Sequence, residues 1–115
     1  RLRGSLDYAN GRYAELAAGY ARAVQQALGD TEDALATVSG EDIEMARRTQ
    51  ALAASRNAAE MARKGLEGGL TDTLPLLLAQ QSLASAHSSY IDARLNRVLG
   101  AVALYKALGG GWQKP

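Results

Sequence analysis

The chain has 115 residues, a net charge of +1 and no cysteine. That balance offers no electrostatic reason to bind nucleic acid or an anionic membrane, and it excludes a disulfide framework and a cysteine-based zinc site. Alanine is abundant, phenylalanine is absent and aromatic residues make up 5% of the chain, which suits thin helix–helix seams better than a globular core.

From residue 5 to residue 64 alanine, leucine, glutamate, glutamine and arginine dominate and proline is absent, a composition that favours helix. Val24, Thr31, Val38, Met45, Leu52, Ala59 and Leu66 fall seven apart without a slip. Leu28 and Leu35, then Asp42, Thr49 and Arg56, occupy the intervening positions, so the seam is strong at first and weaker later. Gly40 is the one candidate break, with Ser39 able to cap a new start. The heptad phase runs through it unchanged, which favours a single helix with room for a bend. At 1.5 Å per residue, some 60 residues span about 90 Å.

Residues 65–72 read as a turn. Gly65, Gly68 and Gly69 permit the backbone angles of a helix end and a reversal. Thr71 or Asp72 is placed to cap the next helix, and Pro75 falls in its first turn, where a missing N–H costs nothing. The second helix, residues 73–108, is about 36 residues long. Its apolar residues Ile91, Leu95, Val98, Val102 and Tyr105 alternate spacings of four and three, as in a coiled-coil seam. A tail, residues 109–115, opens on three glycines that stop the helix. The expected fold is all-α, a long antiparallel hairpin with arms of about 60 and 36 residues.

Charge supports that hairpin. Asp30, Glu32, Asp33, Glu41, Asp42 and Glu44 form an acidic block. Folding about Gly69 sets it opposite a stretch holding Arg94, Arg97 and Lys106, with Glu44 near Arg94 and Glu41 or Asp42 near Arg97. The basic stretch from Arg47 to Lys64 then faces residues 74–91, which carry no formal charge. Leu6, Tyr13 and Tyr20, with Leu16 on the same face, lie beyond the reach of the second helix and form a stripe that needs a cover.

Chemistry is sparse. His87 stands alone, with no Glu-x-x-His pair, and reads as a packed or partly exposed imidazole near Leu83 and Tyr90. The acidic block reads as solvated helix surface. Gly109-Gly110-Gly111 lacks the spacing and the preceding strand of a phosphate loop. No catalytic residue, metal or cofactor is expected. Leu66 and Leu70 are apolar residues at a glycine-rich tip, either a staple for the turn or a knob for a partner.

Two motifs carry a family resemblance. One is Gly69-Leu70-Thr71-Asp72, then Leu74, then Leu76-Leu77-Leu78-Ala79-Gln80-Gln81-Ser82-Leu83. The other is Ala103-Leu104-Tyr105-Lys106-Ala107-Leu108-Gly109-Gly110-Gly111-Trp112. In this order and spacing the chain resembles TolC-like, OprM-type outer-membrane efflux ducts. The resemblance covers nearly the whole chain but only the last quarter or so of a family member. The chain opens Arg1-Leu2-Arg3-Gly4 without methionine and reads as a piece of a longer protein, with residues 1–6 at a strand-to-helix junction. The resemblance implies a hairpin of the periplasmic tunnel of a homotrimeric duct in the outer membrane of a Gram-negative bacterium. The duct is a passive exit, joined by a periplasmic adaptor to an inner-membrane pump of the resistance-nodulation-division type, and it opens by an iris-like shear of coiled coils at its entrance. It implies an adaptor-docking tip at Gly68, Gly69, Leu70, Thr71 and Asp72, and an entrance constriction at Leu74, Leu78 and Gln81. Family members commonly carry a carboxylate where this chain has Leu78 and an arginine where it has Gln81, and some carry a second carboxylate at Pro75. Closure by apolar packing is therefore expected here. The alternative reading is a freestanding helical coiled-coil interaction or adaptor protein with no transport role of its own.

Overall fold

The computed structural model describes residues 2–110, with side chains from residue 3 onward. Two helices account for almost all of it: α1, Leu2–Glu67, and α2, Thr73–Ala107. They run antiparallel as one extended hairpin, 99 Å long and only 15 Å thick. The 66 residues of α1 at about 1.5 Å each span that long axis. The helix begins earlier and ends later than expected, and residues 2–6 are already helical. Gly40 leaves α1 unbroken. Thr31, Thr37 and Thr49 turn their hydroxyls onto the carbonyls of Ala27, Asp33 and Met45 at 2.8–2.9 Å, which satisfies them within the helix. Arg1 and residues 111–115, with Trp112 and most of the expected tail, lie outside the described residues.

The seam departs from its expected rows. On α1, Thr31, Val38, Met45, Leu52, Ala59 and Leu66 are buried or half-buried, as the heptad lattice predicts. The companion row is Ala34, Glu41, Ser55 and Ala62, three residues on from the first row where four were expected. Leu28, Leu35, Asp42, Thr49 and Arg56 are exposed. On α2 the correction is larger. Ile91, Leu95, Val98, Val102 and Tyr105 face away from α1 and are 45–59% exposed. The seam is instead Leu76, Ala79, Leu83, Ala86, Tyr90, Ala93, Gly100, Leu104 and Ala107.

Size explains the choice. The most buried positions among the described residues include Ala34, Ala93 and Gly100, with Leu52 the one large side chain among them. Small residues let two backbones approach closely and gain dispersion contacts along their length. At Gly100 an added Cβ would meet the side chains of Thr37, Val38 and Glu41 at 3.7–3.8 Å, which is ordinary van der Waals contact. Gly100→Ala is therefore expected to stabilise the hairpin by about 0.5–1 kcal/mol, the usual gain over glycine inside a helix. Chemical denaturation followed by circular dichroism checks it.

Register follows the fold about Gly69. Arg97 donates from Nε to Asp42 Oδ1 across the hairpin at 2.5 Å. Glu44 does not reach for Arg94. It accepts from Arg48 within its own helix at 2.7 Å, a pairing that needs no register between helices. Both pairs are about half exposed and worth about 0–1 kcal/mol each. Only the Asp42–Arg97 pair crosses the hairpin, and it aligns the arms more than it holds them.

Candidate functional site: the hairpin tip and the grooves above it

The tip is built by a backbone device. Gly69 takes φ 68. Its N–H bonds to the carbonyl of Leu66 at 3.0 Å, and the N–H of Leu70 bonds to the carbonyl of Gly65 at 2.9 Å. This paired closure is a Schellman motif, which satisfies the last carbonyls of α1. The far end of α2 repeats it. Gly109 takes φ 87, its N–H bonds to Lys106, and that of Gly110 bonds to Tyr105. Gly69→Ala is expected to cost about 1–2 kcal/mol, the penalty of a left-handed backbone for a residue with a Cβ. The same denaturation assay reads it with the opposite sign from Gly100→Ala.

A Schellman turn usually packs the residue after its glycine against the helix it closes. Here that residue is Leu70, and the position it would pack on is Gly65, which offers no side chain. Leu70 is left 83% exposed. Thr71 occupies the space over Gly65 instead, its Oγ1 3.1 Å from where a Cβ would stand. Leu66 is half-buried under the turn, so of the two apolar tip residues Leu66 is the staple and Leu70 is free. Gly68 sits beside Leu70, its own N–H bonded to Lys64 at 2.9 Å. Asp72 stands at the N-cap of α2 in extended conformation, but its carboxylate makes no capping hydrogen bond. The expected cap is present in position only, with its charge near the positive end of the helix. Pro75 is the third residue of α2, in the first turn as expected.

The charges at the end of α1 pair within the helix. Lys64 pairs with Glu60 and Arg63 with Glu67, both at 2.9 Å. The Lys64 hydrogen bond and charge, with a smaller contribution from Arg63, hold the Glu60 carboxyl below its ordinary range. A depressed carboxylate contributes its stability above its unfolded value and loses it as pH falls through the folded one. The pair is thus intact at neutral pH and dissolves only on acidification.

Leu74, Leu78 and Gln81 lie four and three residues apart on α2, along one exposed stripe. Leu78 and Gln81 also share an open groove with Arg48, Ser82, Ser85 and Ser89. Sequence reasoning missed this hydroxyl strip, although Ser82, Ser85 and Ser89 fall at helical spacings of three and four. A second groove, lined by Arg56, Gln80, Leu83, Ala84, His87 and Ser88, is set by other rows of both helices. His87 is exposed there. Among the described residues no cluster of side chains could hold a metal ion, and no helix is long and apolar enough to cross a membrane.

The family model for outer membrane efflux proteins matches residues 1–110. The chain belongs to this family. Its members are efflux channels of the Gram-negative outer membrane and not enzymes. Similar proteins include the pyoverdine export outer membrane protein OpmQ of Pseudomonas aeruginosa, 34% identical over 98% of this chain and 24% of its own length. The toluene efflux pump outer membrane protein TtgF of Pseudomonas putida is 34% identical over 97% of this chain and 23% of its own. The cation efflux system protein CusC of Escherichia coli is 29% identical over 99% of this chain and 25% of its own. The chain thus spans about a quarter of the length of these relatives. No solved structure gives a significant match.

Proposed function

We propose that this segment is a periplasmic hairpin of a trimeric outer-membrane duct, the passive exit of a tripartite efflux pump. Its tip meets an adaptor, and an inner-membrane pump of the resistance-nodulation-division type supplies the energy. No bond is made or broken. Relatives named for pyoverdine, toluene and cation export support the efflux role and leave the cargo open.

The observation that carries the proposal is the bare seam. Leu6, Tyr13 and Tyr20 continue, at seven-residue spacing, the α1 row that reaches Ala34 against α2. Beyond the end of α2 this row is uncovered, with Tyr13 76% and Tyr20 75% exposed. A helix face of that kind is made for a neighbour, as in a wall of many helices. The full-length protein should therefore run as a trimer and restore export to cells lacking their own duct. A full-length protein that is monomeric and restores nothing would reject the reading.

The 115-residue chain alone should self-associate through the same stripe. Burying Leu6, Tyr13, Leu16 and Tyr20 offers roughly 1.5–3 kcal/mol each before ordering costs. Sedimentation should show association that Tyr13→Glu and Tyr20→Glu weaken. A fully helical monomer at high concentration would count against it.

A further inference from the structure

Helix α2 carries apolar rows on two nearly opposite flanks. One is the seam with α1, through Leu76, Leu83, Ala86, Ala93 and Gly100. The other holds Leu77, Ile91, Leu95, Val98 and Val102, all exposed. A helix apolar on opposite flanks is shaped to have a helical neighbour on each side. Only its two remaining faces then meet water, and they differ.

One is the groove of Gln81, Ser82, Ser85 and Ser89, bordered by Ala51 and Arg48 of α1. Its serines and Ala51 are short, and the guanidinium of Arg48 is already bonded to Glu44; Asp92, one heptad beyond Ser85, is the one carboxylate on that row of α2. The other is the groove of Arg56, Gln80 and His87, with Arg94 one heptad beyond His87 on the same row. Ala84 and Ser88 line it too, but Arg56, Gln80 and His87 are long, and no carboxylate pairs with Arg56 or Arg94 among the described residues.

We infer that the serine face lines the water-filled axis of the duct and that the Arg56–His87 face looks outward; the inference rests on the duct reading above. Two physical arguments agree. A wall closed into a tube crowds side chains on its concave side, which favours serine and alanine there and leaves the convex side to arginine and histidine. Symmetry repeats every axis-facing charge around the axis, and like charges held close disfavour one another. Cations on the outer face are spread apart and screened by salt. Leu78 and Gln81 lie in the same groove as the serines, so the constriction and the lining above it form one continuous surface. Serine hydroxyls donate and accept hydrogen bonds and carry no charge. Between Leu78 and Ser89 such a lining suits polar, hydrogen-bonding solutes, and Asp92 one heptad beyond Ser85 adds a carboxylate at its far end.

The segment has no cysteine of its own, which makes thiol labelling a direct test. In an otherwise cysteine-free full-length protein, Ser85→Cys and His87→Cys would each be placed in planar bilayers and treated with a positively charged methanethiosulfonate reagent. Labelling of both exposed sites is verified by mass. Single-channel conductance should fall in steps at Ser85→Cys and stay unchanged at His87→Cys. Steps at His87→Cys alone would reverse the assignment. Two labelled but unaltered channels would overturn it while leaving the duct intact. A parent protein that never conducts would reject the duct reading itself, and this inference with it.

Discussion

Leu78→Asp should turn a closed entrance into an open or cation-selective one. The expectation rests on the trimeric reading, in which three copies of residue 78 face one axis. In the present chain the stripe of Leu74, Leu78 and Gln81 carries no charge, and both leucines are more than half exposed in the isolated hairpin. Exposed leucines around an axis close by excluding water between them, at roughly 25 cal/mol per Å² of apolar area covered. Introduced carboxylates roughly 10 Å apart would repel by about 1–2 kcal/mol per pair at an effective dielectric near 20. The leucine contacts would be lost at the same time. Leu78→Ala removes contact without adding repulsion, so it should leak without gaining selectivity. The unaltered entrance should respond weakly to salt, since Leu74, Leu78 and Gln81 themselves carry no charge to screen. Single-channel recording of the full-length protein separates these outcomes. A resting state that is strongly cation-selective and opened by high salt would place the gate on other residues.

The hairpin was legible because its signals are local. Glycines at 65, 68 and 69, a proline at 75 and sixty residues without a proline or a clustered pair of glycines leave little choice about where the chain reverses. The Asp42–Arg97 pair was legible for the same reason, since one turn position fixes the register of both arms. The seam was not. Reading apolar size along α2 selects Ile91, Leu95, Val98, Val102 and Tyr105, and these do form a row, but one that faces away from α1. The row that meets α1 relies on Ala79, Ala86, Ala93 and Gly100, where close backbone approach replaces bulk. Hydrophobicity ranks those residues low, so the error was one of criterion. The companion row on α1 failed likewise, with Leu35 preferred to Ala34. At the tip the sequence located the apolar pair. Only the geometry separated Leu66, tucked under the turn, from Leu70, which finds glycine where its packing partner would be. The helical spacing of Ser82, Ser85 and Ser89 is in the sequence, but that they line a groove emerges only from which rows the two helices bury.

Leu70→Asp should uncouple the duct from its adaptor while leaving the trimer folded. Leu70 contributes little to the hairpin. It is the most exposed of the large apolar residues described, and the turn is held by backbone bonds from Gly69 and Leu70 that an aspartate side chain does not disturb. The basic groups nearest it are already paired as Lys64–Glu60 and Arg63–Glu67, which leaves Asp72 as the one unpaired charge of the tip among the described residues, so a partner gains most from covering the leucine. Burying one such side chain is worth roughly 1.5–3 kcal/mol, about 10- to 100-fold in affinity. The substitution forfeits that and obliges a carboxylate to enter an apolar contact. Three tips per trimer multiply the loss, because each weakened contact lowers the effective concentration available to the others. Adaptor cross-linking and export should fall together, with the trimer unchanged by sedimentation. Raising salt should not rescue the contact, since the unaltered one is not ionic. Normal cross-linking with undiminished export would show that the exposed leucine is not the docking knob.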